Sequence, residues 1–310
     1  VVLFALKIAA WYFTQSVAVL TDALESSVNV ITGFVGLYSL YLSAKPRDDD
    51  HPYGHGKVEF ISAALEGIFI SIAGVVIIYE AALNLSQPHE IQQIDLGIIL
   101  ISISAVVNFA VGLAAVRRGK KNNSLALIAS GKHLQSDTYT TLGIIVGLVL
   151  IAITQISWLD SAVAIIFALI ILYSGIKILR TSLAGIMDEA DKELLQEMVD
   201  YLNEVRQENW VDLHNLRIIK YGSVLHLDCH LTVPWYLNVH EAHQEVDDLE
   251  QKIIEKFGRR IELFVHTDGC MDYSYPICDK KDCAVRQAAF EKELKWTVEN
   301  ISTNSKHQLD

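Results

Sequence analysis

Leu20-Thr21-Asp22-Ala23-Leu24-Glu25-Ser26-Ser27-Val28-Asn29 sets two acids and an amide inside a stretch otherwise apolar enough to span a bilayer. Ionisable groups in such a setting are expensive and mark a pathway or a binding site. On a helix Asp22, Glu25 and Asn29 stand at i, i+3 and i+7 and so share one face. A second apolar stretch, more than a hundred residues on, carries His133-Leu134-Gln135-Ser136-Asp137, with imidazole and carboxylate one turn apart. Oxygen and imidazole donors suit a divalent transition ion, so the two faces are expected to meet around a metal.

Working outward, six apolar blocks cover roughly residues 1–14, 17–44, 58–84, 96–116, 127–153 and 159–180. The last five each reach the roughly 20 residues a helix needs to cross a bilayer. The first falls short, and the true N-terminus is expected upstream of Val1. A chain of 310 residues that is 51% hydrophobic, with mean hydropathy +0.29, reads as an integral membrane protein. Lys45, Arg47 and Lys57 lie between blocks two and three, and Arg117, Arg118, Lys120 and Lys121 between four and five, while the alternate connections hold no lysine or arginine. The basic loops are therefore expected on the cytoplasmic side, together with both termini. A net charge of −12 with no basic stripe argues against nucleic acid as a partner.

Beyond Arg180 the pattern changes. Leu194, Leu195, Met198, Val199 and Leu202 predict an amphipathic helix, and 213–221 and 224–233 alternate as a hairpin joined at Gly222-Ser223. Val246, Leu249, Ile253 and Ile254 mark a second helix, and 260–266 a last strand. The fold class expected is a six-helix, all-α transmembrane domain followed by a cytosolic α+β domain of ferredoxin-like order αββαβ. The expected boundaries are 1–185, 186–269 and a Cys-bearing tail over 270–310, with a helix predicted from Ala284 to about Val298.

On the second strand His226, Asp228 and His230 share a face, as do His266 and Asp268 on the last. His243 sits one turn from His240 on the second helix. In the loop Asp48-Asp49-Asp50-His51-Pro52-Tyr53-Gly54-His55-Gly56-Lys57, three acids and two histidines attract cations. A solvated loop that only positions the next helix through Lys57 is the alternative.

With Glu25/Asn29, His133/Asp137, the Asp48 to Lys57 loop and the histidine-bearing C-terminal domain, the chain resembles the cation diffusion facilitators, a family of metal-ion/proton antiporters, over nearly its whole length to Gly269. The resemblance implies a transport metal site at Glu25, Asn29, His133 and Asp137, with Asp22 an additional or replacement ligand. It implies a loop site at Asp48, His51 and His55, and a binuclear site at His214, His230, His243, His266 and Asp268. It further implies a homodimer in a bacterial inner membrane, lipid as its surroundings and protons as the counter-ion. The Glu25/Asn29 pair departs from the carboxylates, or histidine and aspartate, usual in the family's zinc transporters. Zinc is the favoured cargo, and iron(II), manganese, cobalt and cadmium stay open, since affinity does not name the biological metal. Metal leaving would exchange for protons entering at His133 and Asp137, because ligands must be deprotonated.

Milder readings stand beside these. Asp22 reads alternatively as a helix N-cap and Asp160 as the N-cap of the sixth block. Glu66 and Asn108 read as interhelical hydrogen-bonding groups, and His89, His226, His240 and His307 as surface histidines. Cys270, Cys278 and Cys283, with Cys229 as a fourth, form a candidate thiol site, or else are reduced surface cysteines. A membrane-anchored metal sensor or store is the rival function. An intramembrane metal hydrolase lacks a His-Glu-x-x-His helix, so no enzyme is expected.

Overall fold

In the computed structural model, residues 1–86, 91–121, 125–156, 158–221, 224–258 and 261–309 are described, with backbone alone at 119 and 125–130. His89 and the Gly222-Ser223 joint lie outside them. The chain divides into two compact units, Val1–Leu40 with Phe60–Leu183, and Tyr41–Glu59 with Ala184–Asp310.

Six helices appear in the first part of the chain, α1 (Val2–Thr14), α2 (Val17–Ser43), α3 (Val58–Ser86), α4 (Ile94–Lys121), α5 (Leu125–Thr154) and α6 (Trp158–Ile186). Four of them, α3 to α6, are long and apolar enough to cross a membrane. The 27 residues of α2 reach about 40 Å at about 1.5 Å per residue. It keeps Asp22 and Glu25 in its interior, so Asp22 is not the N-cap it resembles in sequence. Ser16 starts α2: its hydroxyl accepts from the Val19 amide at 3.2 Å. Asp160 of α6 closes the same end, accepting from Ser16 Oγ at 2.5 Å, Val17 N at 2.7 Å and Ala18 N at 3.3 Å. The cap predicted for α6 is thus a cap supplied in trans to α2, where a carboxylate meets free amides and the positive end of the helix dipole. Glycines bring helices into backbone contact. A Cβ at Gly67 would lie 2.8 Å from the Gly175 carbonyl, and one at Gly131 2.7 Å from that of Gly112. Such small residues let α3 pack on α6 and α4 on α5.

In the second unit Asp191 caps α7 (Lys192–Glu204) by accepting from Leu194 N at 3.0 Å. Strands β1 (Asp212–Tyr221) and β2 (Val224–Val233) pair antiparallel. Then α8 (Val239–Phe257) opens on a reciprocal Asn238/Glu241 capping box and ends at Gly258, φ 95°. Strand β3 (Ile261–Gly269) returns parallel to β2, giving the order β1-β2-β3. Leu227, Cys229 and Leu231 of β2 turn to one face, where Met198 and Leu202 of α7 and Leu249 and Ile253 of α8 cover them. This is the αββαβ domain expected, with helices on one face of the sheet.

The tail departs from expectation. No helix runs from Ala284 to Thr297; that segment is turn and irregular chain, followed by the short α9 (Val298–Ile301). Arg286 holds it open, its guanidinium donating to the carbonyls of Cys278 and Lys280 at 2.8 Å and Tyr275 at 3.2 Å. Trp296 then enters the domain core, 1% exposed, with the Arg206 guanidinium 4.2 Å above its ring. Tertiary anchoring outweighs helix propensity there.

Candidate metal centre

Within the helical unit α2 and α5 meet through Asn29, whose amide donates to Asp137 Oδ2 at 3.0 Å. His133 Nε2 lies 3.9 Å from Asp137 Oδ1, one turn away on α5. Glu25, Asn29, His133 and Asp137 all line one cavity of about 240 Å³, together with Glu66 and Thr140. Glu66 therefore faces the same space as the four candidates, while Asn108 is buried on α4. Asp22 is fully buried, and its carboxylate takes Lys7 Nζ at 2.8 Å and Thr141 Oγ1 at 2.9 Å. Neither Lys7 nor Thr141 was expected; a single lysine inside the first apolar block was the signal for the former.

The loop brings three donors together. His51 Nδ1 lies 3.0 Å and His55 Nε2 3.4 Å from the Asp48 carboxylate, and donor atoms of the three fall within 4.8 Å of one another. The hydrogen bond from His51 holds the Asp48 carboxyl below its ordinary range. The loop is anchored beside them. Lys57 Nζ reaches Asp188 at 2.8 Å and lies 4.7 Å from the Tyr221 ring, while Arg47 pairs with Glu262. Tyr53 packs edge-on to His226, 5.7 Å between centroids. His226 is only 4% exposed, with Nδ1 3.2 Å from Glu262, so it is not a surface histidine. Burial first, and the Arg47 charge second, lower its pKa.

On the sheet, register does the assembling. His214 pairs with His230 and His230 with His266, a row of three imidazoles across three strands, and two residues along, on the same face, the row is Asp212, Thr232 and Asp268. A bulge between His214 and Arg217, with Asn215 at φ 55°, changes the parity of β1. Leu213 and Leu216 consequently both turn inward. Asp268 Oδ2 stands 3.7 Å from His214 Nε2 and 3.5 Å from His230 Nδ1, and these three form the second group with donors within 4.8 Å. His266 Nε2 is 3.8 Å from Asp268 Oδ1. His243 is exposed, 3.6 Å from Asp247, and outside that group. Two imidazoles and a carboxylate fit a divalent cation, and burial and the neighbouring His214 lower the His230 pKa, favouring the neutral ligand form.

The tail supplies partners the sequence pattern did not reveal. His307 Nδ1 lies 2.6 Å from Asp212 Oδ1, and Lys306 Nζ 3.1 Å from Asp268 Oδ1. His307 is thus no free surface histidine. Burial would raise the Asp212 carboxyl, but hydrogen bonds with His214 and His307 offset this and hold it low. The same bond raises His307. Cys270 and Cys278 are buried together beside Val211 rather than on the surface, with Cys283 half-buried. Cys229 is a core residue of the sheet, its thiol pushed up to about 12 by burial. Among the described residues no thiol joins a three-donor group.

A helical unit with four helices long and apolar enough to cross a membrane, followed by an α+β domain with a histidine row, is the architecture of a polytopic membrane protein with candidate cation sites. Residues 1–187 match the family described as the cation efflux transmembrane domain, and residues 190–270 that of the cation efflux protein cytoplasmic domain. The uncharacterized transporter sll1263 of Synechocystis sp. is 34% identical over 257 residues, 83% of either chain. The manganese efflux system protein MneP of Bacillus subtilis is 27% identical, over 86% of this chain and 91% of its own. The cation-efflux pump FieF of Citrobacter koseri is 28% identical, over 86% and 88%. The chain belongs to the cation efflux, or cation diffusion facilitator, family.

Proposed function

We propose that this chain exports a divalent transition-metal ion by proton antiport as a homodimer, with Glu25, Asn29, His133 and Asp137 as the transport site. The observation that carries the reading is the pairing of Asn29 with Asp137 across α2 and α5 beside Glu25 and His133 on one internal cavity. Four oxygen and nitrogen donors there replace the hydration shell of the ion. His133 and Asp137 take up protons as the ion leaves, because imidazole and carboxylate each bind either a proton or the metal. Asp48, His51 and His55 form a loop site for cations. His214, His230, His266 and Asp268, with His243 from α8, bind metal that stabilises the dimer, a role consistent with the cytoplasmic dimer domain matched over 190–270. Transport falls to residues 1–185 and dimerisation to 186–269, with the tail over 270–310 packed into the core of the second part. Zinc is the first ion to test, and the kinship with a manganese efflux protein makes manganese the second. Purified full-length protein in liposomes is expected to move Zn²⁺ or Mn²⁺ faster with an opposing proton gradient. Uptake indifferent to the gradient refutes antiport.

A further inference from the structure

The ion pair between Lys7 and Asp22 has no part in the transport reading above, and it is the most deeply buried charge pair in the helical unit's described residues. Lys7 Nζ lies 2.8 Å from Asp22 Oδ1, with the two side chains 2% and 0% exposed. The Thr141 hydroxyl sits between that oxygen, at 2.9 Å, and the Asp137 carbonyl, at 2.8 Å. Asp22 Oδ2 is buried with no hydrogen-bond partner. Three helices meet here, α1 through Lys7, α2 through Asp22 and α5 through Thr141, and two of them carry the transport-site residues. Asp22 stands one turn from Glu25, and both Lys7 and Asp22 lie within electrostatic reach of Glu25 and Asp137.

Resting on the transport-site reading, we propose that Lys7 sets the charge of that site: its tethered ammonium neutralises Asp22 and keeps this carboxylate out of the ligand set. Within the four-residue ligand set the ion then meets two carboxylates, Glu25 and Asp137, beside the neutral Asn29 amide and His133 imidazole, with Glu66 on the wall of the same cavity but outside that set. That charge matches one divalent cation. An unpaired Asp22 would add a further negative charge beside that ligand set in a medium that screens it poorly, calling for a further cation or a proton. An unpaired Lys7 would repel the cargo. Lys7 is therefore a positioning residue acting through Asp22, and the Asp22 that looks like a ligand in sequence is already occupied by a cation of the protein's own.

The test compares Asp22→Asn, Lys7→Met and the double variant in the full chain, reconstituted in liposomes with Zn²⁺ and Mn²⁺ as probe ions. KM, kcat and melting temperature in detergent are all read. Asp22→Asn is expected to raise the KM for the ion about tenfold, the equivalent of about 1.4 kcal/mol. The double variant, with neither charge present, is expected to return KM to within about threefold of the unaltered protein. A double variant as impaired in KM as Asp22→Asn overturns the proposal, because Asp22 would then be a ligand. Asp22→Asn with unchanged KM and only a lower melting temperature also overturns it, leaving the pair a structural tie. If the single variants fail to fold, the double variant decides alone by the same threefold criterion. Glu25→Gln and Asp137→Asn are run alongside. If both transport normally, the transport-site reading fails and takes the proposal with it, whereas loss of transport in these two isolates any failure to the Lys7–Asp22 pair.

Discussion

Asp268 gathers four nitrogen-bearing side chains on the polar face of the sheet: His214, His230, His266 and Lys306 all approach its carboxylate within 4 Å. Lys306, on Oδ1, is the one that opposes a metal ion, since an ammonium and a divalent cation on one carboxylate repel each other. Lys306→Met is accordingly expected to tighten Zn²⁺ binding at this site about twofold to fivefold, matching the roughly 0.2–1 kcal/mol of a partly exposed ion pair. Equilibrium dialysis against the His230→Ala background, in which the effect disappears, checks it. Asp191 gives a pH-dependent case. Its carboxyl is lowered by the Leu194 amide and Lys220. A depressed carboxylate stabilises above its unfolded pKa, about 3.9, and the gain is lost as pH falls through the lower folded value. Hydrogen exchange of α7 is expected to show its stability falling as pH drops below about 4, and Asp191→Asn, which still caps but does not titrate, is expected to remove that dependence.

At the scale of elements, the entry to α2 depends on a residue from α6. Asp160→Ala strips acceptors from Ser16, Val17 and Ala18 at once and is expected to cost about 0.5–2 kcal/mol, as for loss of a helix cap. Thermal unfolding in detergent measures it, and a melting temperature unchanged from the parent refutes it. The tail from Cys270 onward behaves as part of the C-terminal domain. Trp296 and Ile301 belong to its core, and Thr303 takes the Asn215 amide at 2.7 Å, right at the bulge that positions His214. The bulge and the tail thus define the histidine row together: one sets which way β1 faces, the other satisfies the amide the bulge leaves free.

For the whole molecule, the dimeric reading carries its own test. Replacing His230 and His266 by alanine is expected to weaken association of the detergent-solubilised protein in the presence of Zn²⁺ while leaving ion binding at Glu25 and Asp137 intact. Light scattering on the purified chain gives the first and equilibrium dialysis the second. Unchanged association and transport would remove the stabilising role from the C-terminal site. The two sites are separable in this way because they lie in different compact units, one in the helices and one on the sheet.

Hydropathy by itself determined the six helices and their order, because long apolar runs are set by the cost of placing polar backbone and side chains in lipid. Alternation likewise determined which face of β2 holds His226, Asp228 and His230. Spacing placed Glu25, Asn29, His133 and Asp137 on two faces one helical turn at a time, and left open which further residues join them. Only the tertiary structure decided that Asp22 pairs with Lys7, that Asp160 caps a helix far from its own, and that Lys306 and His307 return to the histidine row. Each of these is a contact between residues distant along the chain, fixed by how helices and strands pack, and a local pattern carries no record of such partners. The failed prediction of a helix over 284–298 has the same cause: Arg286 and Trp296 find partners elsewhere in the domain, and those contacts outweigh what the segment would do alone.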